Sequence, residues 1–112
     1  MANVSQYVQN QYGIQSYIKE GHVIIKGNTP EQVLVPQDPM RYNLLIINYS
    51  TSDIYIATEI NAGVNYGIKL SKQGGIFSCD AFTDMTLASH MWYCYADGGD
   101  ADIYILENKS LD

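Results

Sequence analysis

The sequence predicts an all-β chain: a single antiparallel β-sandwich or jelly-roll-like domain over residues 21–112, preceded by an N-terminal arm over residues 1–20. Three observations predict it. The length of 112 residues suits one domain with one core. From His22 onward the chain breaks into short β-prone runs separated by clusters of turn residues. No stretch is both long enough and amphipathic enough to predict a helix.

The elements follow in chain order. Residues 1–20 are dominated by Gln6, Gln9, Asn10, Gln11 and Gln15, with Tyr7, Tyr12 and Tyr17 recurring every five residues. A period of five matches neither helix nor strand, so this segment has no continuous apolar face of its own. It reads as an interaction arm that lays its tyrosines on a neighbouring surface, the alternative being a frayed terminus or a first edge strand. The expected strands are His22–Lys26, Gln32–Val35, Tyr42–Asn48, Ile54–Ala57, Gly67–Leu70, Ile76–Cys79, Met91–Ala96 and Ile103–Glu107. Between them lie Gly27-Asn28-Thr29-Pro30, Pro36-Gln37-Asp38-Pro39, Ser50-Thr51-Ser52-Asp53, Gln73-Gly74-Gly75 and Asp97-Gly98-Gly99-Asp100, whose residue types favour turns. Strands at this spacing imply a sandwich or barrel.

Several strands are apolar on both faces. In Leu44-Leu45-Ile46-Ile47, Ile103-Tyr104-Ile105-Leu106 and Met91-Trp92-Tyr93-Cys94-Tyr95-Ala96, alternation sends apolar side chains to either side of the sheet. A free-standing sandwich strand carries polar residues outside. Either these strands are covered twice within the domain, or one sheet face packs on another subunit. So short a chain has little material for a third layer, which points to a homo-oligomer; a ring or closed trimer fits. On Met91–Ala96 the expectation is a core role for Trp92, with Tyr93 and Tyr95 at an interface or edge.

Composition narrows the partners. The chain is 46% hydrophobic and only 16% charged, with ten tyrosines, a balance that suits protein contacts. Its net charge is −6, and the six basic residues are scattered, so no stripe tracks phosphates and nucleic acid is not expected as a direct partner. No run approaches the ~20 apolar residues of a membrane helix. Residues 1–18 hold no Lys or Arg and no continuous apolar stretch, so the expectation is synthesis in a cytoplasm, and Cys79 and Cys94 read as reduced, buried thiols.

The sequence offers no catalytic constellation. It has no Gly-rich phosphate loop, no Cys-x-x-Cys and no Gly-x-Ser-x-Gly elbow. His22 and His90 are single; Ser89 and His90 are strand neighbours, whose side chains point to opposite faces and cannot form a nucleophile–base pair. The reading is a non-enzyme with no cofactor and no metal. Asp97, Asp100 and Asp102 form the one acidic cluster that offers several oxygens to calcium. A plain β-hairpin accounts for the same residues, with two glycines permitting the turn and the aspartates bonding its backbone.

Four segments carry a resemblance. Arg41-Tyr42-Asn43-Leu44-Leu45-Ile46-Ile47-Asn48 is a basic residue followed by an apolar run ending in Asn, and Asp53-Ile54-Tyr55-Ile56 follows a short Ser/Thr turn. Gly67-Ile68-Lys69-Leu70 precedes the glycine turn Gly74-Gly75, and Asp102-Ile103-Tyr104-Ile105-Leu106-Glu107 closes the set. In order and kind, residues 41–107 resemble a family of small β-sandwich proteins encoded by tailed bacteriophages, accessory or decorating components of the virion. Two turns depart from that pattern: Lys72-Gln73 replaces a Pro-Gly, and Ala57 stands where a glycine commonly follows. The resemblance implies a virion protein made in the host cytoplasm, a head-decorating or head-fibre-base subunit or a tail accessory. Its partners would be itself and the major capsid or other virion proteins. A tail-associated receptor- or carbohydrate-binding module is the second reading. The family carries no catalytic residues over to this chain.

Overall fold

The structure, a computed structural model, describes residues 16–80 and 85–110. Eight strands form: β1 (Ser16–Ile25), β2 (Gln32–Val35), β3 (Arg41–Asn48), β4 (Asp53–Ala57), β5 (Ile68–Leu70), β6 (Gly75–Asp80), β7 (Trp92–Asp97) and β8 (Ala101–Ser110). All eight expected runs are strands. A five-residue 3-10 helix, Met85–Ser89, leads into β7.

Pairing is antiparallel throughout the two sheets, which run β1-β8-β3-β6 and β2-β7-β4-β5. The chain is thus a long hairpin rolled on itself, with β1 on β8, β2 on β7, β3 on β6 and β4 on β5. This nesting is the jelly-roll form of the β-sandwich.

The two sheets close on one core largely by alternation, although β4 is buried over four successive residues and β2 buries both Leu34 and Val35. Leu44, Ile46, Ile103, Ile105 and Cys79 of the first sheet meet Leu34, Ile54, Ile56, Trp92, Cys94 and Ala96 of the second. Trp92 is 3% exposed; its ring lies 5.0 Å from that of Phe77, and its Nε1–H donates to the Leu87 carbonyl at 3.1 Å. The expected core role for Trp92 holds. Cys79 and Cys94 are buried in this core and form no disulfide with each other, and burial pushes the Cys94 thiol up to about 12.

Strand β1 starts well before the expected His22. Residues 1–15 of the expected arm, with Tyr7 and Tyr12, lie outside the described residues. Ser16–Glu20 form the first half of β1, paired in unbroken register from Ser16 opposite Ser110 to Ile25 opposite Ala101. These residues have no strand periodicity of their own; the ten-residue β8 offers main-chain partners that local sequence does not announce.

At Gly27 the chain passes under the β7–β8 turn. A Cβ there would lie 2.5 Å from the Gly98 carbonyl oxygen and 2.6 Å from the Gly99 carbonyl carbon, so only glycine admits this approach.

Candidate interaction surface

The first sheet turns an apolar face to solvent as well as to the core. Four strands contribute, and the register sets their side chains in rows. One row runs Ile76, Ile47, Tyr104, His22 across β6, β3, β8 and β1; the next runs Ser78, Leu45, Leu106, Glu20. Ile18 and Ile24 flank these rows on β1, and Tyr49 continues them past the end of β3.

Exposure shows how little covers the face. Ile76 is 62% exposed, Ile24 60%, Tyr49 57% and Ile18 47%, while Leu45, Ile47, Tyr104 and Leu106 are half-buried by one another. Scattered apolar residues are ordinary on a surface, but a set contiguous through cross-strand pairs is not.

A polar and aromatic cluster sits toward the β1 side. His22 packs edge-on against Tyr104 with ring centroids 5.6 Å apart, and Tyr49 meets Tyr104 in the same way at 6.3 Å. The Tyr104 hydroxyl donates to Glu20 Oε2 at 2.6 Å, and that carboxylate bond holds the phenol above its ordinary pKa. His22 Nδ1 lies 2.9 Å from Asp102 Oδ1. These bonds orient the side chains on the β1 side of the apolar face.

The other outer face, on the second sheet, is smaller. Tyr95 stands directly opposite Tyr55, and Tyr93 opposite both Ala57 and Val33. Tyr93 and Tyr95 are half-buried on an interior strand of the sheet rather than at its edge, and the Tyr95 hydroxyl reaches Asn28 Oδ1 at 3.4 Å. Tyr17 is 42% exposed and belongs to neither tyrosine group, since it points to the opposite face of β1 from Ile18.

The acidic residues of the last turn do not converge. Asp100 Oδ1 accepts from the Gly27 amide at 2.8 Å, Asp102 faces His22, and Asp97 ends β7 opposite Asp53. Among the described residues no three metal-ligating side chains gather into a site. His90 is exposed, and its carbonyl accepts from Arg41.

Sequence reading identified the two-faced character of β3, β7 and β8; of its named residues, Tyr17, Tyr93 and Tyr95 are not among those that compose the larger face, and Tyr7 and Tyr12 lie outside the described residues. Ile18, Ile24, Tyr49, Ile76 and Tyr104 compose much of it. The missing signal is register: which outward residues become neighbours depends on pairing between strands far apart in the chain. The chain matches none of the protein-family models, curated proteins or solved structures compared with it.

Proposed function

We propose that this chain is a virion structural protein, a capsid-decorating or head-fibre-base accessory subunit that self-assembles and binds other virion proteins, the major capsid protein among them. The observation that carries the reading is the outer face of the β1-β8-β3-β6 sheet, apolar across all four strands. Removing such a face from water contributes roughly 25 cal/mol per Å² of apolar surface, and a second protein surface is the cover that leaves no main-chain group unpaired. The resemblance of residues 41–107 to bacteriophage accessory proteins supplies the setting. The jelly roll supports it by analogy, because capsid proteins use this architecture, though fold alone does not assign function.

The test uses two residues that the fold does not need. Ile76 and Tyr49 are among the most exposed apolar side chains of the face, so changing both to lysine should lower the unfolding free energy by only about 1 kcal/mol, part of it from the lost Tyr49–Tyr104 ring contact. Light scattering should then show wild type as an oligomer, and Ile76→Lys/Tyr49→Lys should shift toward lower mass and lose binding to capsids. Unchanged mass and unchanged capsid binding would refute the role of this face.

The second reading, a tail-associated carbohydrate- or receptor-binding module, draws on the half-buried Tyr93 and Tyr95 of the other outer face, Tyr95 standing opposite the buried Tyr55. Flat aromatic rings with hydroxyl tips suit sugars. It predicts glycan-array binding that Tyr95→Ala abolishes, while the self-assembly reading predicts no such binding.

A further inference from the structure

We infer that β1 pairs with β1 of a second copy, antiparallel about a two-fold axis through Gly21, joining two first sheets into one continuous sheet. The inference rests on the self-assembly reading and names the contact that begins it.

Among the described residues no strand pairs with the outer edge of β1. In β8, the Asp102 carbonyl accepts from the Tyr49 amide at 3.2 Å and the Ser110 amide donates to the Met40 carbonyl at 2.7 Å, so even-numbered residues of β8 turn their main chain toward β3. Its odd-numbered residues therefore turn toward β1, where Ile103 opposes Val23 and Ile105 opposes Gly21. It follows that Ile18, Glu20, His22 and Ile24 of β1 direct their amides and carbonyls away from β8, along the edge. At Lys26 the row ends, because the Gln32 side-chain amide takes both its N–H and its C=O at 2.8 Å.

No other edge compares with it. Among the outer strands β5 has three residues, β2 has four with a register shift, and β6 has six, whereas β1 has ten in unbroken register. Exposed edges are usually blunted by proline, a bulge, shortness or charged side chains, lysine above all. Strand β1 has no proline, no bulge and no shortness; its charged residues are Lys19 and Glu20, which the register through Gly21 sets opposite Val23 and His22 rather than opposite like charges. Beside it the mouth of the sandwich is left open as a cleft of about 190 Å³ lined by Lys19, Gly21, Val23, Leu34 and Pro36.

The sequence of the strand selects the register. A two-fold axis normal to the sheet keeps outer faces on the same side, so each residue must oppose one of the same parity. Centring on residue 20 would set Glu20 against Glu20, and centring on residue 22 would set His22 against His22. Centring on Gly21 sets Glu20 opposite His22 and Ile18 opposite Ile24, all on the outer face. It does so with the main-chain groups of these four residues in position to exchange both hydrogen bonds in every pair. Ile18 and Ile24, 47% and 60% exposed in the single chain, each gain an apolar cross-strand neighbour. Gly21 meets Gly21 at a non-hydrogen-bonded site, and a Cβ added there meets nothing within 4 Å.

Cysteine cross-linking of the full chain tests this. In the proposed register the two Gly21 Cα atoms lie about 4.5 Å apart, within disulfide reach, whereas two residues 20 or two residues 22 lie beyond the ~7 Å limit. With diamide as oxidant, Gly21→Cys should convert mostly to a disulfide-linked dimer, and Glu20→Cys and His22→Cys should not; Cys79 and Cys94 are buried and serve as the wild-type background. His22→Glu should weaken association about ten-fold by facing carboxylates across both symmetric pairs, and Glu20→Lys/His22→Glu should restore it. A wild type that forms oligomers while Gly21→Cys fails to cross-link, or cross-links no better than Glu20→Cys, overturns the register and leaves the self-assembly reading standing. A wild type that stays monomeric at high concentration overturns both.

Discussion

Replacing Arg41 by methionine is expected to lower the stability of the domain by about 3–5 kcal/mol, read as a shift in the urea unfolding midpoint at unchanged slope. Arg41 is 2% exposed, and its guanidinium donates to three carbonyls, those of Ala88, Pro36 and His90, the Pro36 bond at 3.1 Å. It lies 3.6 Å from Glu107, which also pairs with Lys109 at 3.2 Å, and Lys109 in turn reaches Asp38 at 2.7 Å. One side chain therefore ties the β2–β3 loop and the segment before β7 to strands β3 and β8. Methionine fills much the same volume but leaves Glu107, 6% exposed, with one cation fewer and three carbonyls without their donor. Arg41→Lys should recover only part of the loss, because a single ammonium cannot span carbonyls that the planar fork reaches.

The same cluster sets a pH dependence in the wild type. Its hydrogen bond to Lys109 holds Asp38 below the ordinary carboxylate pKa, and the bond to Asp38 holds Lys109 above the ordinary ammonium value. A depressed carboxylate contributes fully above its unfolded pKa and loses the contribution as pH falls through the folded value; a raised ammonium contributes fully below its unfolded pKa and loses it as pH rises. The contribution is therefore flat across neutral pH and declines at the acid and alkaline ends. Arg41→Met should leave that flat window at a lower plateau.

The second large effect is expected at Asn48. Asn48→Asp keeps the shape of the side chain and should cost about 2–4 kcal/mol. Asn48 is fully buried at the end of β3, where its Nδ2 donates to the carbonyls of Ser52 at 2.8 Å and Leu70 at 3.0 Å. Its Oδ1 accepts from the Ser50 amide at 3.0 Å and the Ser50 hydroxyl at 2.6 Å. One amide thus closes the β3–β4 turn and fastens it to the end of β5. A carboxylate would face two carbonyl oxygens with no proton to give. Burial would raise the pKa of the new aspartate, and only its protonated form can donate, so the variant should regain stability as pH falls toward the carboxylate range. Wild type lacks this group and should show no such gain, which makes the difference between the two pH profiles the measurement that checks it.

Both residues were visible in the sequence as the two ends of one strand, a basic residue before an apolar run and an asparagine after it. Their work was not. Arg41 acts on carbonyls up to 49 residues away, and Asn48 on a carbonyl 22 residues away, and nothing local to either position announces those partners. The turn clusters fared better because turn chemistry is local, but Asp97-Gly98-Gly99-Asp100 is not the expected β-hairpin: it carries the chain from β7 in one sheet to β8 in the other, which do not pair, and Asp100 bonds the backbone amide of Gly27. For Ser16–Glu20 the structure takes the alternative reading, a first edge strand, for the complementary reason: these residues become strand through a partner that lies at the other end of the chain.

By itself, the sequence determined that this is an all-β protein, where its eight strands lie to within three residues at every end but the start of β1, that Trp92 belongs to the core, and that some strands are apolar on both sides. These follow from side-chain alternation and from the backbone preferences of Gly, Pro, Asn and Asp, which act over a few residues. Tertiary structure alone decided that β1 lies on β8 and β3 on β6, that the outward residues of those four strands merge into one apolar face, and that the outer edge of β1 pairs with no strand among the described residues. Pairing register is a long-range choice made by the whole core at once, and a slip of one residue would have turned a different set of side chains outward.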